Sequence, residues 1–207
     1  MDNIKKCNKI NYTITFLANE DNVNKILQLL QKFGSINLGN LGNTFNSNIE
    51  FDEKLVKSWL NNRNFKGELL FRKSRDGSTP NDFHNKCDNK GITITFIETT
   101  KGYKFGGYTE LQWDNSGYKT DKSTFIFSFN NKQKYTARNN YNSIYCNSNE
   151  GPRFGCGYPE IYLNKTLNKG YSFDDSNYNT FLLGRKLTNG EEYWDVKELE
   201  VHKIEYI

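Results

Sequence analysis

The chain holds little of what marks a membrane span, a metal site or a nucleic-acid binder. Its 207 residues include only two histidines and four cysteines (Cys7, Cys87, Cys146, Cys156), and no two cysteines form a C-x-x-C pair. Spacing therefore gives zinc no foothold. No G-x-S-x-G elbow occurs, which leaves a serine nucleophile of the α/β-hydrolase kind without its turn. No run approaches the ~20 apolar residues that a bilayer-crossing helix needs. The first residues, MDNIKKCNKINYTITF, hold no apolar core of signal-peptide length. The expected compartment is the cytosol, with any attachment to a membrane made through a protein partner. The thiols are then expected to be reduced, and the sequons Asn11-Tyr12-Thr13 and Asn164-Lys165-Thr166 to be chance matches. Charge of one sign is also scarce: 28 Lys and Arg against 24 Asp and Glu leave +4. The nearest basic clusters, Lys5-Lys6 and Arg72-Lys73-Ser74-Arg75, are too short for the stripe a nucleic-acid binder concentrates.

Aromatic rings are abundant. Phe, Tyr and Trp make up 15% of a chain that is only 35% apolar, and each ring buries about 150–250 Å², so a full-sized core is within reach. The many Asn residues are dispersed among patterned segments and do not form a prion-like tract. Residues 1–65 read as an N-terminal helical extension. Tyr12–Phe16 suits a short strand. Asp21 can cap a helix carrying Val23, Ile26, Leu27, Leu30 and Phe33 and closed by Gly34. A second helix from about Asp52 to Leu60 gathers Leu55, Val56, Trp59 and Leu60 on one face. These helices are too small to fold alone and are expected to dock on the strand-rich remainder of the chain.

From Glu68 onward the pattern becomes short strand-like runs separated by turns: ELLFR, ITITFIE, GYKFGGYT, TFIFSF, KQKYTA, EIYL, TFLLG and KELEVHKIEYI. In the last run Leu199, Val201, Ile204 and Tyr206 do not share one alternation, which points to a bulge near Lys203. Strands at hairpin spacing with few helices predict a two-sheet antiparallel β-sandwich bordered by short helices, an α+β fold that is mainly β. They disfavour a parallel α/β fold.

The stretch SRDGSTPNDFHNKCDNKG, residues 74–91, gathers the most chemistry. Thr79-Pro80 with Asp82 three residues after the cap predicts a helix start with a capping box. On that helix Phe83, His84 and Cys87 share a face, the one that must dock on a sheet. A Cys–His nucleophile pair would need partners from other elements and a third orienting group. A small thiol buried beside a histidine is the simpler reading. A metal held by His84, Cys87 and Asp88 would need further ligands, so no cofactor or metal is expected. Arg75-Asp76-Gly77 has the chemistry of a turn.

The residues LLFRKSRDGSTPNDFHNKCDNKGITITFIETTKGYKFGGYTELQWD resemble the opening of a TLDc domain, the module of the oxidation-resistance family. The likeness continues through STFIFSF and GPRFGCGYPEIYL and ends at KELEVHKIEY. It covers residues 66–207 and reaches further back if the SWL helix is counted. One departure is His202, where the family's block carries an aromatic after Glu-Val. Nothing in residues 1–65 matches a LysM, BTB or Rab-GAP module. The resemblance implies a sandwich of two antiparallel sheets, association with the V1 sector of the vacuolar proton-pumping ATPase and a part in tolerance of oxidative stress, with no agreed reaction or active site.

Three function classes are open to such a chain. A protein-interaction module would use loop-borne residues, the candidates being Arg75, Asp76, His84 and Trp113, which flank turns in the best-matched blocks. Arg75 can offer a bidentate donor pair to a partner carboxylate, or spend it on Asp76. Trp113 either plugs the sandwich or stands out as an anchor. An enzyme, hydrolytic or thiol-dependent, would need an accessible, perturbed Cys87, Cys146 or Cys156. A carbohydrate-binding sandwich would need aromatics exposed together on one face, whereas the strand alternation assigns most rings to the core. Gly106-Gly107 and the Gly151–Gly157 stretch read as places of close backbone approach.

Overall fold

The computed structural model describes residues 44–138, 141–173 and 184–207. The strand expected at Tyr12–Phe16, the helix from Asp21 to Gly34, Cys7 and most of the TFLLG run lie outside them. In chain order the elements are α1 (Glu53–Trp59), β1 (Phe65–Arg72), α2 (Lys73–Asp76), α3 (Pro80–Cys87), β2 (Thr93–Thr99), β3 (Lys104–Thr109), β4 (Gly117–Lys119), β5 (Phe125–Ser128), β6 (Gln133–Thr136), β7 (Ile144–Cys146), β8 (Arg153–Phe154), β9 (Tyr162–Leu163), β10 (Lys169–Tyr171), α4 (Gly184–Leu187) and β11 (Tyr193–Tyr206). The larger sheet runs β6-β5-β3-β2-β11-β10-β9, with β1 also paired to β11, and β4-β7-β8 form a smaller second sheet. The strand pairings are antiparallel. The fold is the expected mainly-β arrangement of two antiparallel sheets bordered by short helices.

The spine is β11. It pairs with β10 at Tyr193–Asp195, with β2 from Val196 to Lys203 and with β1 from Glu200 to Tyr206. The bulge expected near Lys203 lies on the partner strand: Lys203 itself pairs regularly with Glu68 and with Thr93, while beside it the register shifts at Leu69/Phe71 of β1, opposite His202 and Val201, and a second shift falls at Val196/Glu198. No shift at Lys203 is needed because both faces of the strand are covered. Leu199 and Val201 enter one core, while Ile204 and Tyr206 pack with another. The same holds for β2, whose seven residues are all buried. Its Ile97 faces the first core and its Ile94 and Phe96 face the second.

The first core sets Phe71, Phe105, Ile126, Leu199 and Val201 against α3 and the smaller sheet through Phe83, Cys87, Trp113, Ile144 and Phe154. The second lies under residues 45–65, where Phe45, Ile49, Val56, Trp59 and Leu60 meet Ile94, Phe96, Phe125, Phe127 and Ile204. The expected second helix is α1. Asp52 caps it by accepting from the Lys54 and Leu55 amides, and Val56 and Trp59 are its buried residues. The close approach expected at Gly106 is real: a Cβ there would lie 1.8 Å from the Thr95 carbonyl oxygen on β2. Backbone cannot yield that distance, so only glycine fits.

Candidate interaction surface

The Arg72–Asp76 stretch is spent on holding α2 to the neighbouring strands. Arg72 Nε donates to Glu200 at 2.7 Å, and Lys73 Nζ donates to the Val196 carbonyl at 3.3 Å. Ser74 gives its amide and its hydroxyl to Glu198. Arg75-Asp76-Gly77, expected as a turn, forms the close of a single helical turn, Lys73–Asp76, with Gly77 as its C-cap. Arg75 grips Asp76 with two nitrogens, at 2.9 and 2.7 Å, and also donates to the Leu70 carbonyl at 3.1 Å. That bond with Arg75, with the Arg72 amide added, holds the Asp76 carboxyl below its ordinary range. The Arg75 side chain is still 46% exposed, against 9% for Asp76.

The helix start is as the sequence indicated. Thr79 accepts from the Asp82 amide, Asp82 accepts from the Thr79 amide, and Pro80 opens α3. His84 then fastens the helix to the loop after β7. Its Nδ1 lies 2.7 Å from Asp88 Oδ1, and its Nε2 lies 3.0 Å from the carbonyl oxygens of both Asn147 and Glu150. Trp113 is a plug, 1% exposed. Its indole donates to Thr93 Oγ1 at 2.9 Å and meets Phe83 and Phe154 edge-on. The four candidates thus divide: Arg75 with Asp76 at one end of α2, His84 and Trp113 around α3, with only Arg75 well exposed.

Burial pushes the Cys87 thiol well up, with the Asp88 charge adding to it, and raises Cys146 to about 11. At neutral pH both are thiols, the unreactive form. Among the described residues no group of three His, Cys, Asp or Glu side chains could hold a metal ion. An open depression of about 570 Å³ is lined by Asn131, Gln133, Tyr135, Lys186, Asn189 and Gly190, and these described residues include no thiol, imidazole or carboxylate.

On the second core, Glu200 is fully buried. Burial works to raise its carboxyl, yet bonds from His202, Ser47, the Asn48 amide and Arg72 hold it down at about 2. It remains an anion that pins residues 47–48 to the sheet. His202 donates from Nε2 to Glu200 at 3.1 Å, and burial lowers its basicity more than the carboxylate restores it, so the ring is neutral. It meets Phe45 and Phe96 edge-on, so an imidazole occupies the aromatic position from which this chain departs.

What strand alternation missed is a band of rings outside the cores. Tyr118 and Tyr145 pair at 4.4 Å. The Arg153 guanidinium lies 4.7 Å from Tyr145 and 5.7 Å from Tyr162. Tyr162 stacks on Tyr171 at 4.3 Å, Tyr171 meets Phe173 at 4.8 Å, and Tyr158 and Tyr193 stand against Phe173 at 5.4 and 6.4 Å. Tyr158 and Tyr193 are 68% and 69% exposed. The rings come from β4, β7, β9, β10 with the two residues after it, β11 and the loop after β8, so no local pattern in the sequence collects them. The one local hint is the density of tyrosine between residues 141 and 193.

The family model for the TLDc domain matches residues 43–205. The mTOR-associated protein MEAK7 of Danio rerio is 27% identical over 84 residues, a match covering 40% of this chain and 19% of that protein. Among the described residues no helix is long and apolar enough to cross a membrane. The family match takes in α1 and both sheets, nearly to the end of β11, and on that ground the chain belongs to the TLDc domain family.

Proposed function

We propose that this domain works by binding another protein and performs no chemistry of its own. The observation that carries the reading is the division of labour in the best-matched blocks. Arg72, Ser74, Asp76, His84 and Trp113 are bonded within the domain, while Tyr118, Tyr158 and Tyr193 of the ring band are 51%, 68% and 69% exposed. Tyrosine supplies large, amphipathic contact area at low entropic cost, and it is enriched where proteins meet. The partner that the family implies is the V1 sector of the vacuolar proton-pumping ATPase, reached in the cytoplasm, with tolerance of oxidative stress following from that contact. The relative matched here is named for its association with mTOR, a protein partner.

Two measurements test the reading. The full chain is expected to co-sediment with purified V1 sector, and no binding at tens of micromolar removes that partner. Arg75, with nearly half of its side chain in water, is the candidate contact outside the ring band, and Arg75→Ala is expected to weaken co-sedimentation. In the folded protein Cys87 and Cys146 are expected to react with a thiol reagent at neutral pH at least about 10²-fold more slowly than in the unfolded chain. Rapid labelling of either would revive the thiol-enzyme alternative.

A further inference from the structure

We propose that His84 is a proton-operated clasp: with hydrogen on both ring nitrogens it ties α3 to the loop after β7, and on losing one of the two it lets that loop loosen. The inference goes beyond partner binding and holds whichever partner the domain takes. It starts from the atoms around the ring. Nδ1 lies 2.7 Å from Asp88 Oδ1, and Nε2 lies 3.0 Å from the carbonyl oxygens of Asn147 and Glu150. Carboxylate and carbonyl oxygens only accept, so each ring nitrogen has to donate. A neutral imidazole carries one N–H and turns a lone pair to its other neighbour, whereas the imidazolium carries two. The three acceptors are therefore satisfied together only by the charged ring. The His84 side chain is 10% exposed, so a bond lost there is not simply returned to water. The chain's other histidine gives the contrast. His202 Nε2 meets Glu200 at 3.1 Å, while its buried Nδ1 finds no hydrogen-bond partner among the described residues. One donor suffices at His202, and two are required at His84.

The loop on the far side of the clasp is tied largely to itself. The Glu150 amide donates to the Asn147 carbonyl at 3.0 Å and the Asn149 amide to the Asn147 side chain at 2.9 Å, while the Ser148 amide reaches out to Asn115 Oδ1 at 2.9 Å. Glu150 also grips Arg153 at 3.1 Å, and the Arg153 guanidinium lies 4.7 Å from the Tyr145 ring. The state of His84 thus bears on the segment that seats Arg153 and Tyr145. Asp88 is the carboxylate that faces the ring. Charged groups on the neighbouring elements have partners of their own: Arg153 has Glu150, Lys119 has Asp114 at 2.6 Å, Arg75 has Asp76 and Arg72 has Glu200. Lys86 and Lys90, near the end of α3, are exposed. Cys87 on the same helix and Cys146 on β7 are neutral thiols. The sign follows from the acceptors: the clasp is complete on the acid side of the ring's own titration and broken on the alkaline side.

The test is a magnetic-resonance titration of the full chain, labelled with nitrogen-15, from about pH 5 to about pH 8. The chain has only two histidines, so the ring signals are few, and those that vanish in His84→Gln belong to His84. Two protonated ring nitrogens are expected for His84 at the acid end and one at the alkaline end. Across the same titration the hydrogen-exchange protection of the Ser148 and Glu150 amides, corrected for intrinsic exchange, is expected to fall at least about tenfold as pH rises. In His84→Gln that protection is expected to lose its dependence on pH. Asp88→Asn removes the negative partner and is expected to move the ring's loss of a proton to lower pH. Should the Gln variant fail to fold, the wild-type titration and Asp88→Asn decide alone. The proposal is overturned if one His84 nitrogen is bare even at the acid end, or if both stay protonated throughout. It is equally overturned if loop protection does not follow the ring, if His84→Gln keeps the pH dependence, or if Asp88→Asn titrates as wild type does.

Discussion

The phenylalanines over the second core and the tyrosines of the surface band make ring contacts at similar distances, yet they live in different solvents. Phe45, Phe96, Phe125 and Phe127 are buried among one another and beside Trp59. Tyr158, Tyr162, Tyr171 and Tyr193 contact their neighbours as closely and stay partly or largely in water. One hydroxyl per ring accounts for the difference, because a buried phenol must find a partner for its O–H. Tyr108 shows the rule from the other side. It is buried beside Phe125, and its hydroxyl is bonded to Tyr206 at 2.8 Å and to Glu110 at 3.0 Å. Ring contact alone therefore does not make a core; satisfied polarity does.

The largest effects should come from the closed side of that comparison. Phe96→Ala empties a fully buried site between Phe45, Phe51 and Phe127 and is expected to cost about 3–5 kcal/mol in urea unfolding. Glu200→Ala strips Arg72 and His202 of their shared carboxylate and releases Ser47 and Asn48. A loss of about 3–5 kcal/mol is expected, since a largely buried guanidinium loses its counter-charge. A loss below about 1 kcal/mol would mean that the pair contributes nothing net.

Acid should reach the same network in two stages. The folded-state basicity of His202 is depressed, so its contribution is complete above the unfolded value near 6.5 and declines as pH falls below it. Glu200, held at about 2, contributes above its unfolded value and loses that contribution as pH falls through about 2; the full effect is roughly 3 kcal/mol. Unfolding midpoints measured from neutral to strongly acidic pH check both stages, and Glu200→Ala should abolish the lower one. The smallest effect belongs to the open side. Tyr193→Phe removes an exposed hydroxyl and is expected to change stability by no more than about 0.5 kcal/mol, visible as an unchanged melting curve.

Local chemistry was legible in the chain. Thr79, Pro80 and Asp82 define a helix start within four residues, and α3 begins there. Asp52 and the spacing of Val56 and Trp59 define α1. The stretch from Ser74 to Gly91 was legible as scaffold, since a helix of this length must dock the face that carries Phe83 and Cys87. The course of β11 was not. Its apolar residues fail any one-face alternation because both faces are covered, a fact about neighbours distant in sequence. The band was illegible for the same reason: its rings lie on six separate segments, and alternation along any one of them says nothing about the next.

What the amino-acid sequence determined by itself was the inventory: antiparallel strands at hairpin spacing, capped short helices, and enough aromatic area for a core. Those follow from backbone preferences and side-chain periodicity, which act over a few residues. The tertiary structure decided which rings are dry and which are wet, and that Arg72, Ser47 and His202 converge on one carboxylate. Burial and hydrogen-bond satisfaction depend on who arrives from elsewhere in the chain, and no local pattern contains that information.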